Sequence, residues 1–313
     1  FNTESNKQVM MNTFAGDLGQ VNLDMLCERI PRLKIVKDLA NKQKFHHWEL
    51  EFADVFKERG GFDLIIGNPP WLRLEWKDQD VLGDINSKIV IKNLSVSQAL
   101  EVQDEIFNSN SKAISIYIDE FESIAITQKF LNSILNYPDL IGTATNLYKC
   151  FLPQAWMIGN DSSIASFIHP EGVYDDPRGG KLREKLNKKL IMHFQFTNEK
   201  RLFDISHTRV YSLNVYSNKN INNYISISNL FDPTTIDQSL DGNNVGLVPG
   251  IKDENGKWEL KGHKDRVINI SNKELKLFSQ LYDDDIPINQ AKLPSIHSVQ
   301  LVRTLNKFNS IST

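Results

Sequence analysis

Apolar residues recur at helical spacing in some stretches of this chain and alternate or run together in others. The change of period marks its elements. Residues 1–45 read as mostly helical, with Val21 to Ala40 carrying apolar side chains at near-helical spacing, interrupted by Pro31. Phe45 to Phe52 alternates well enough to predict a short strand, and Ala53 to Arg59 predicts a turn of helix closed by Gly60-Gly61. Phe62 to Ile66 predicts a buried strand. Residues 72–145 carry long helical patterns with polar breaks, including one amphipathic helix over Ile114 to Leu135.

Beyond this helical stretch, strands and helices alternate. The pattern predicts a helix over Asn146 to Ile158, a strand over Ile164 to His169 ending at Pro170, and a basic helix over Gly179 to Lys189. Leu190 to Phe196 and Val210 to Tyr216 predict two more strands, so the fold class is α/β. After about residue 220 Asn becomes frequent, Gly-bearing turns appear and helical periodicity weakens, apart from one helix over Ser271 to Tyr282 with Ser271 as N-cap. These shifts divide the chain into domains 1–220, with a helical insertion at about 72–145, and 221–313.

Composition narrows the classes. In 313 residues, 40% hydrophobic and 24% charged, there is material for a sizeable core. The net charge of −3 excludes a global basic footprint, so any nucleic-acid surface is local. Two cysteines, Cys27 and Cys150, cannot build a disulfide framework, and a reducing cytoplasm is the simplest reading. No Cys/His cluster has ligand spacing, so no metal is expected; His46-His47 is adjacent rather than i, i+4. No apolar run approaches the roughly 20 residues of a membrane span. The start, Phe-Asn-Thr-Glu-Ser, reads as that of a fragment cut from a longer protein.

The candidate chemistry lies directly after the strand at Phe62. Asn68-Pro69-Pro70-Trp71 offers an amide oxygen and a carbonyl beside proline, two acceptors able to take both N–H bonds of an exocyclic amine. Pro69 and Pro70 fix φ and remove two backbone donors. Trp71 offers a flat face for an extracted base.

Taken in order, Phe45 to Phe56 and Gly60 to Trp71 resemble the core of bacterial adenine-N6 DNA methyltransferases, of the type IIG restriction-modification and phage-defence kind. Asn146-Leu147-Tyr148-Lys149-Cys150-Phe151-Leu152 is similar to that family's Asp-Leu-Tyr-x-x-Phe helix. Ile164 to Pro170, Leu182-Arg183, His193 to Glu199 and Leu202-Phe203 resemble its downstream elements, so the likeness spans roughly 45–217. The resemblance implies a partial Rossmann-like methyltransferase sheet with a helical insertion, followed by a mixed α/β target-recognition region. It implies S-adenosylmethionine as cofactor, double-stranded DNA as partner, no membrane, and association with restriction or defence subunits. Asn68 and the Pro69 carbonyl then hold the N6 amine of a flipped adenine, and Trp71 stacks on the base.

Other roles are implied less directly. Phe196, or Phe194, is the candidate for the opposite wall of the base pocket, although alternating aromatics on a strand equally suit a core. Asp54 is the candidate near the cofactor adenine. Lys181, Lys185 and Lys188 share a helix face that can meet the DNA backbone or simply be solvated. Asn146 stands where the family often has Asp, and Tyr148 reads as packing. Trp258 and the lysines around it can face DNA; Glu259-Leu260-Lys261 has the form of half a nuclease site, a tripeptide common by chance. The family's Gly-rich cofactor turn is absent upstream of residue 45; Ala15-Gly16-Asp17-Leu18-Gly19 is the nearest match. The sheet is therefore expected to lack its first strands here. Two other readings stay open: a non-catalytic DNA-binding or assembly module derived from such an enzyme, and an Asn-Pro-Pro methyltransferase acting on protein glutamine or RNA.

Overall fold

A computed structural model describes residues 21–311 apart from 92–93, 145, 243–245 and 284–285. The nearest glycine match to a cofactor turn, at 15–19, lies outside the described residues. The chain forms two compact units, residues 1–56 and 57–313.

In the first unit, α1 (Leu23–Arg29) and α2 (Pro31–Gln43) divide where the pattern places the break. Pro31 opens the second helix, where its missing N–H costs nothing. Asn22 caps α1 by accepting from the Met25 N–H at 3.0 Å. The strand expected over Phe45 to Phe52 does not form. The backbone is extended only up to His47, then turns into the short α3 (Trp48–Glu51). The rings of Trp48 and Phe52 stack at 5.8 Å, a spacing of four residues that belongs to a helix and not to a strand. α4 (Ala53–Arg59) then leads towards the second unit.

The second unit is built on a six-stranded mixed sheet in the order β1-β2-β4-β3-β5-β6. Its strands are β1 (Phe62–Gly67), β2 (Gly159–Pro170), β3 (Leu190–Thr197), β4 (Val210–Ser217), β5 (Asn223–Leu230) and β6 (Ile268–Ser271). β1 pairs in parallel with β2, Ile65 opposite Ala165 and Gly67 opposite Phe167. β4 runs antiparallel between β2 and β3, and β5 runs parallel to β3. The C-terminal ends of β1, β2 and β3 therefore lie at one end of the sheet, with the start of β4. Gly61 enters β1 at φ +140°, and a Cβ there would lie 2.5 Å from the Ile158 carbonyl oxygen, so only glycine passes.

Between β1 and β2 the chain makes the expected helical excursion: α5 (Asp78–Ile85), α6 (Lys88–Ile91), α7 (Val96–Ser109) and α8 (Ser111–Leu131). It has its own small core of Leu82, Ile89, Ile106 and Ala113. Ser95 and Gln98 form a capping box that starts α7. The Gln128 amide ties α8 to the Leu74 carbonyl at 2.7 Å. α9 (Leu147–Ile158), α10 (Gly172–Asp175) and α11 (Gly180–Lys189) follow.

No architectural break falls near residue 220. β5 and β6 extend the same sheet, and α13 (Asn272–Tyr282) and α14 (Val299–Ile311) pack into the same core, after the short α12 (Thr234–Leu240). The polar, Asn-rich stretch that suggested a boundary is the surface connection from β4 to β5; Tyr224, Ile227 and Leu230 beyond it are buried. Ser271 caps α13 as expected, and with Glu274 it forms a capping box.

A polar chain runs through the core under β2 and β4. His169, fully buried, has Nδ1 2.9 Å from the Pro170 carbonyl and Nε2 2.8 Å from the Tyr216 hydroxyl. The carbonyl only accepts, so Nδ1 carries the proton and Nε2 accepts from Tyr216. Tyr174 donates to the Asn214 side chain at 2.6 Å. Burial pushes the His169 imidazole down to about 4. Between that value and an unfolded pKa of about 6.5 the unfolded chain binds the extra proton. Stability is therefore complete above pH 6.5 and falls with pH down to about 4, by about 3 kcal/mol for this group. Burial pushes His297 down too, with the same sign. Urea unfolding between pH 7 and pH 4.5 should show this loss, and His169→Gln should flatten it. A pH-independent midpoint in the parent protein would contradict the assignment.

Candidate functional site

Asn68 stands at the first position beyond β1, at the end of the sheet where β1, β2 and β3 all finish. The parallel pairing sets its depth: Gly67 lies opposite Phe167, and a Cβ on Gly67 would meet the Phe167 ring at 3.3 Å. Asn68 and Pro70 are exposed and Pro69 is buried. Among the described residues neither the Asn68 side chain nor the Pro69 carbonyl has a hydrogen-bond partner, so both acceptors remain available.

Trp71 is pinned. Its indole Nε1 donates to the Ile168 carbonyl of β2 at 3.2 Å. Its ring lies against Tyr211 of β4 at 5.7 Å and Phe203 at 5.9 Å. Asn68, Pro69, Pro70 and Trp71 line a shallow cleft of about 300 Å³, completed by Phe203, Asp204 and Ile205.

Phe196 does not reach this cleft. It is 5% exposed and stacks on Tyr211 at 5.7 Å, and Phe194 is buried in the same cluster. Strand alternation sends both phenylalanines to one face and His193 and Gln195 to the other. The aromatic that reaches the cleft is Phe203, in the loop from β3 to β4, packed edge-on against Tyr211 at 5.0 Å. Asn198, fully buried, holds that loop. Its Nδ2 donates to the carbonyls of Phe203 and Ile205, both at 3.0 Å, and its Oδ1 accepts from the Phe203 N–H at 3.1 Å. The sequence signal for this was an Asn closing a strand a few residues before an aromatic.

A larger cleft of about 860 Å³ shares Trp71 and Ile205 with the first. Asn146, Lys149, Glu171, Asp176, Arg73 and Arg209 are among its walls. Glu171 follows β2 and receives Gln195 Nε2 at 2.8 Å and His193 Nε2 at 3.2 Å; His193 Nδ1 is 2.8 Å from Ser226 Oγ. Burial opposes ionisation of Glu171, but the His193 imidazole and the hydrogen bonds of His193, Ser212 and Gln195 outweigh it, holding the carboxyl below the usual range. Lys149 Nζ pairs with Asp176 at 2.6 Å, both largely buried. Tyr148 is packing, as its position suggested: it is buried and stacks on His169 at 5.4 Å.

The remaining candidates lie elsewhere. Lys181, Lys185 and Lys188 are all exposed on α11, but that helix runs back along the sheet from the Asn68 end. Lys185 and Lys188 therefore line a separate cleft with Trp156 and Asn218, where β3 begins. Each is paired, Lys185 with Asp139 at 2.6 Å and Lys188 with Glu184 at 2.8 Å. Asp54 is exposed in the first turn of α4. Trp258 stacks on Phe231 at 4.5 Å with Lys252 Nζ over its ring. Glu259 Oε1 accepts from the backbone of Leu260 and Lys261, a local turn rather than a metal arrangement. Among the described residues no group of His, Cys, Asp and Glu is placed to hold a metal, and no helix is long and apolar enough to cross a membrane.

Comparison with known proteins bears on the first cleft. Residues 4–125, which include Asn68 to Trp71, match the family model of the Eco57I restriction-modification methylase. No curated protein sequence matches the chain. Among solved structures, the type IIG restriction endonuclease BpuSI matches at 16% identity and TM-score 0.31, over 48% of this chain and 17% of its own. A modification subunit of a putative type I restriction enzyme from Vibrio vulnificus YJ016 matches at 9% and 0.32, over 64% and 37%. The M protein of the type I restriction enzyme EcoKI matches at 12% and 0.29, over 53% and 43%. The chain thus spans less than half the length of each of these proteins, and superpositions this loose carry no argument of their own. The segment that carries Asn68 to Trp71 thus lies within the part of the chain, residues 4–125, that is similar to the restriction-modification methylases of the Eco57I family.

Proposed function

We propose that this chain is the base-gripping part of a DNA methyltransferase that transfers a methyl group from S-adenosylmethionine to N6 of an adenine turned out of the duplex. One observation carries the reading: at the end of β1, two acceptors without partners, Asn68 Oδ1 and the Pro69 carbonyl, stand beside an indole fixed by the Ile168 carbonyl. Two acceptors match the two N–H bonds of a planar amine. Accepting from both draws electron density onto nitrogen and holds its lone pair in one direction, so positioning supplies most of the acceleration. Trp71 gives the base a face to lie on, and Phe203 lines the same cleft beside it.

The methyl donor needs a close backbone approach, which a Gly-x-Gly turn after a strand normally provides. No described strand is followed by one, so no residue here is assigned to hold the donor. Among the described residues no strand pairs with the outer edge of β1, where Leu64 is 58% and Ile66 73% exposed. That edge supports the proposal that further strands complete the sheet on the donor side. Residues 221–313 would then serve target recognition as a continuation of the catalytic sheet.

Asn68→Ala in the full protein should lower single-turnover methylation about 100-fold or more while DNA affinity changes little, because the acceptor acts on the reacting amine. Unchanged turnover would remove Asn68 from the mechanism. The two phenylalanines should separate cleanly. Phe203→Ala should keep the melting temperature and weaken productive base binding roughly 10- to 100-fold, the scale of a lost stacking partner. Phe196→Ala should instead destabilise the fold by about 3–5 kcal/mol. Thermal unfolding paired with methylation assays distinguishes them, and the opposite pattern would return the base wall to Phe196.

A further inference from the structure

The larger cleft beside Trp71 has a polarity that the base-gripping cleft does not explain. Its inner wall offers acceptors. The Glu171 carboxylate lies there, its side chain 14% exposed. Asn146 stands at the N-cap of α9 but caps nothing, and its Oδ1 is buried without a hydrogen-bond partner. A buried acceptor left unmet is a standing cost that a ligand N–H removes. Lys149 is not free to fill the role, since Asp176 holds it. The outer part is different in sign: Arg209 is exposed, as is Arg73, which pairs with Glu75 at 2.7 Å, with the hydroxyl-bearing Ser206 and Thr208 between cleft and solvent.

We propose that this cleft is a second nucleotide subsite, which takes the nucleotide adjoining the target base and reads an exocyclic amine on it through Asn146 Oδ1 and Glu171, with Arg73 and Arg209 on its phosphates. The proposal rests on the reading of the Asn68 cleft as a DNA base pocket. Size agrees: about 860 Å³ lies within the range of small-molecule sites and holds a nucleotide. Position agrees too, because Trp71 and Ile205 border both clefts, so a base in one places its neighbour along the strand beside the other. Chemistry selects the ligand. Adenine, cytosine and guanine present an amine; thymine does not, and leaves the buried Asn146 Oδ1 unmet, while Glu171 keeps only its bonds from His193 and Gln195. Such a loss discriminates far more sharply than a missing methyl group, since the protein's buried polar atoms stay unmet.

The test uses the full protein and duplexes in which the two positions flanking a target adenine are randomised, with methylated products sequenced. The wild-type protein should methylate thymine-flanked targets about 10-fold more slowly on one side than amine-bearing ones. Glu171→Gln, which replaces one acceptor oxygen by a donor, should erase that preference. Asn146→Leu should do the same, and it is the safer variant, because the oxygen removed bonds nothing in the folded protein. Arg209→Ala should slow all sequences alike and lessen the salt dependence of binding. If the wild-type protein shows the preference and both acceptor variants keep it, the subsite is refuted while the base-gripping reading stands. Methylation by the wild-type protein that is indifferent to thymine on both sides refutes it as well. If the wild-type protein methylates no adenine in any duplex, the base-gripping reading itself fails.

Discussion

The hydrogen bond from the Trp71 indole to the Ile168 carbonyl couples the chemistry of this chain to its fold. Ile168 belongs to β2, Trp71 to the loop after β1, and the bond crosses ninety-seven positions of sequence. It works only because β1 and β2 run in parallel and end together, a register fixed by Gly67 opposite Phe167. A slip of one residue would reverse the faces of β1 and carry Asn68 away from the cleft. The two prolines before Trp71 remove the remaining freedom. The backbone of the loop, with the Pro69 carbonyl and the Trp71 ring, is therefore oriented before any ligand arrives, and less ordering entropy is left to be lost on binding.

Much of this was legible along the chain because the decisive elements are local. The run Phe62 to Ile66, the proline pair and the period changes around Asn146, Ile164 and Leu190 report backbone preferences that tertiary contacts reinforce. The failures share the opposite character. Phe45 to Phe52 alternates in polarity, yet among the described residues no strand pairs with it, and Trp48 and Phe52 stack four residues apart. Phe196 and Phe203 are both aromatics near a strand end. Which of them meets the cleft depends on strand phase and on the loop held by Asn198, and neither is visible in composition. The change near residue 220 marked solvent exposure, which pattern alone does not separate from a domain boundary.

The lysines of α11 illustrate the same limit. Helical spacing correctly places Lys181, Lys185 and Lys188 together on an exposed face, and charge makes that face attractive for DNA. The sheet decides where the helix points, and it carries Lys185 and Lys188 to the far end, beside Asp139 and Glu184. Exposed ion pairs of this kind contribute little to stability. Near the Asn68 end the positive side chains are Arg209 and Arg73, the latter also ion-paired, with Glu75, and they stand far apart in sequence and form no recognisable motif.

In the proposed subsite, the outer and inner parts of the larger cleft divide affinity from selectivity. Arginines at a solvent-facing rim give salt-screened attraction to any phosphate, with no information about sequence. Asn146 Oδ1 is buried where water competes poorly, so a neighbour without an amine would leave that acceptor unmet. The same logic accounts for the support behind Glu171. A carboxylate this buried would take up a proton and lose its acceptor strength if it stood alone; His193 and Gln195, placed on one face by the alternation of β3, keep it charged. The strand that sends Phe194 and Phe196 into one core thus sends the polarising residues into the other. A single period-two pattern serves packing on one side of the sheet and supports the Glu171 carboxylate on the other.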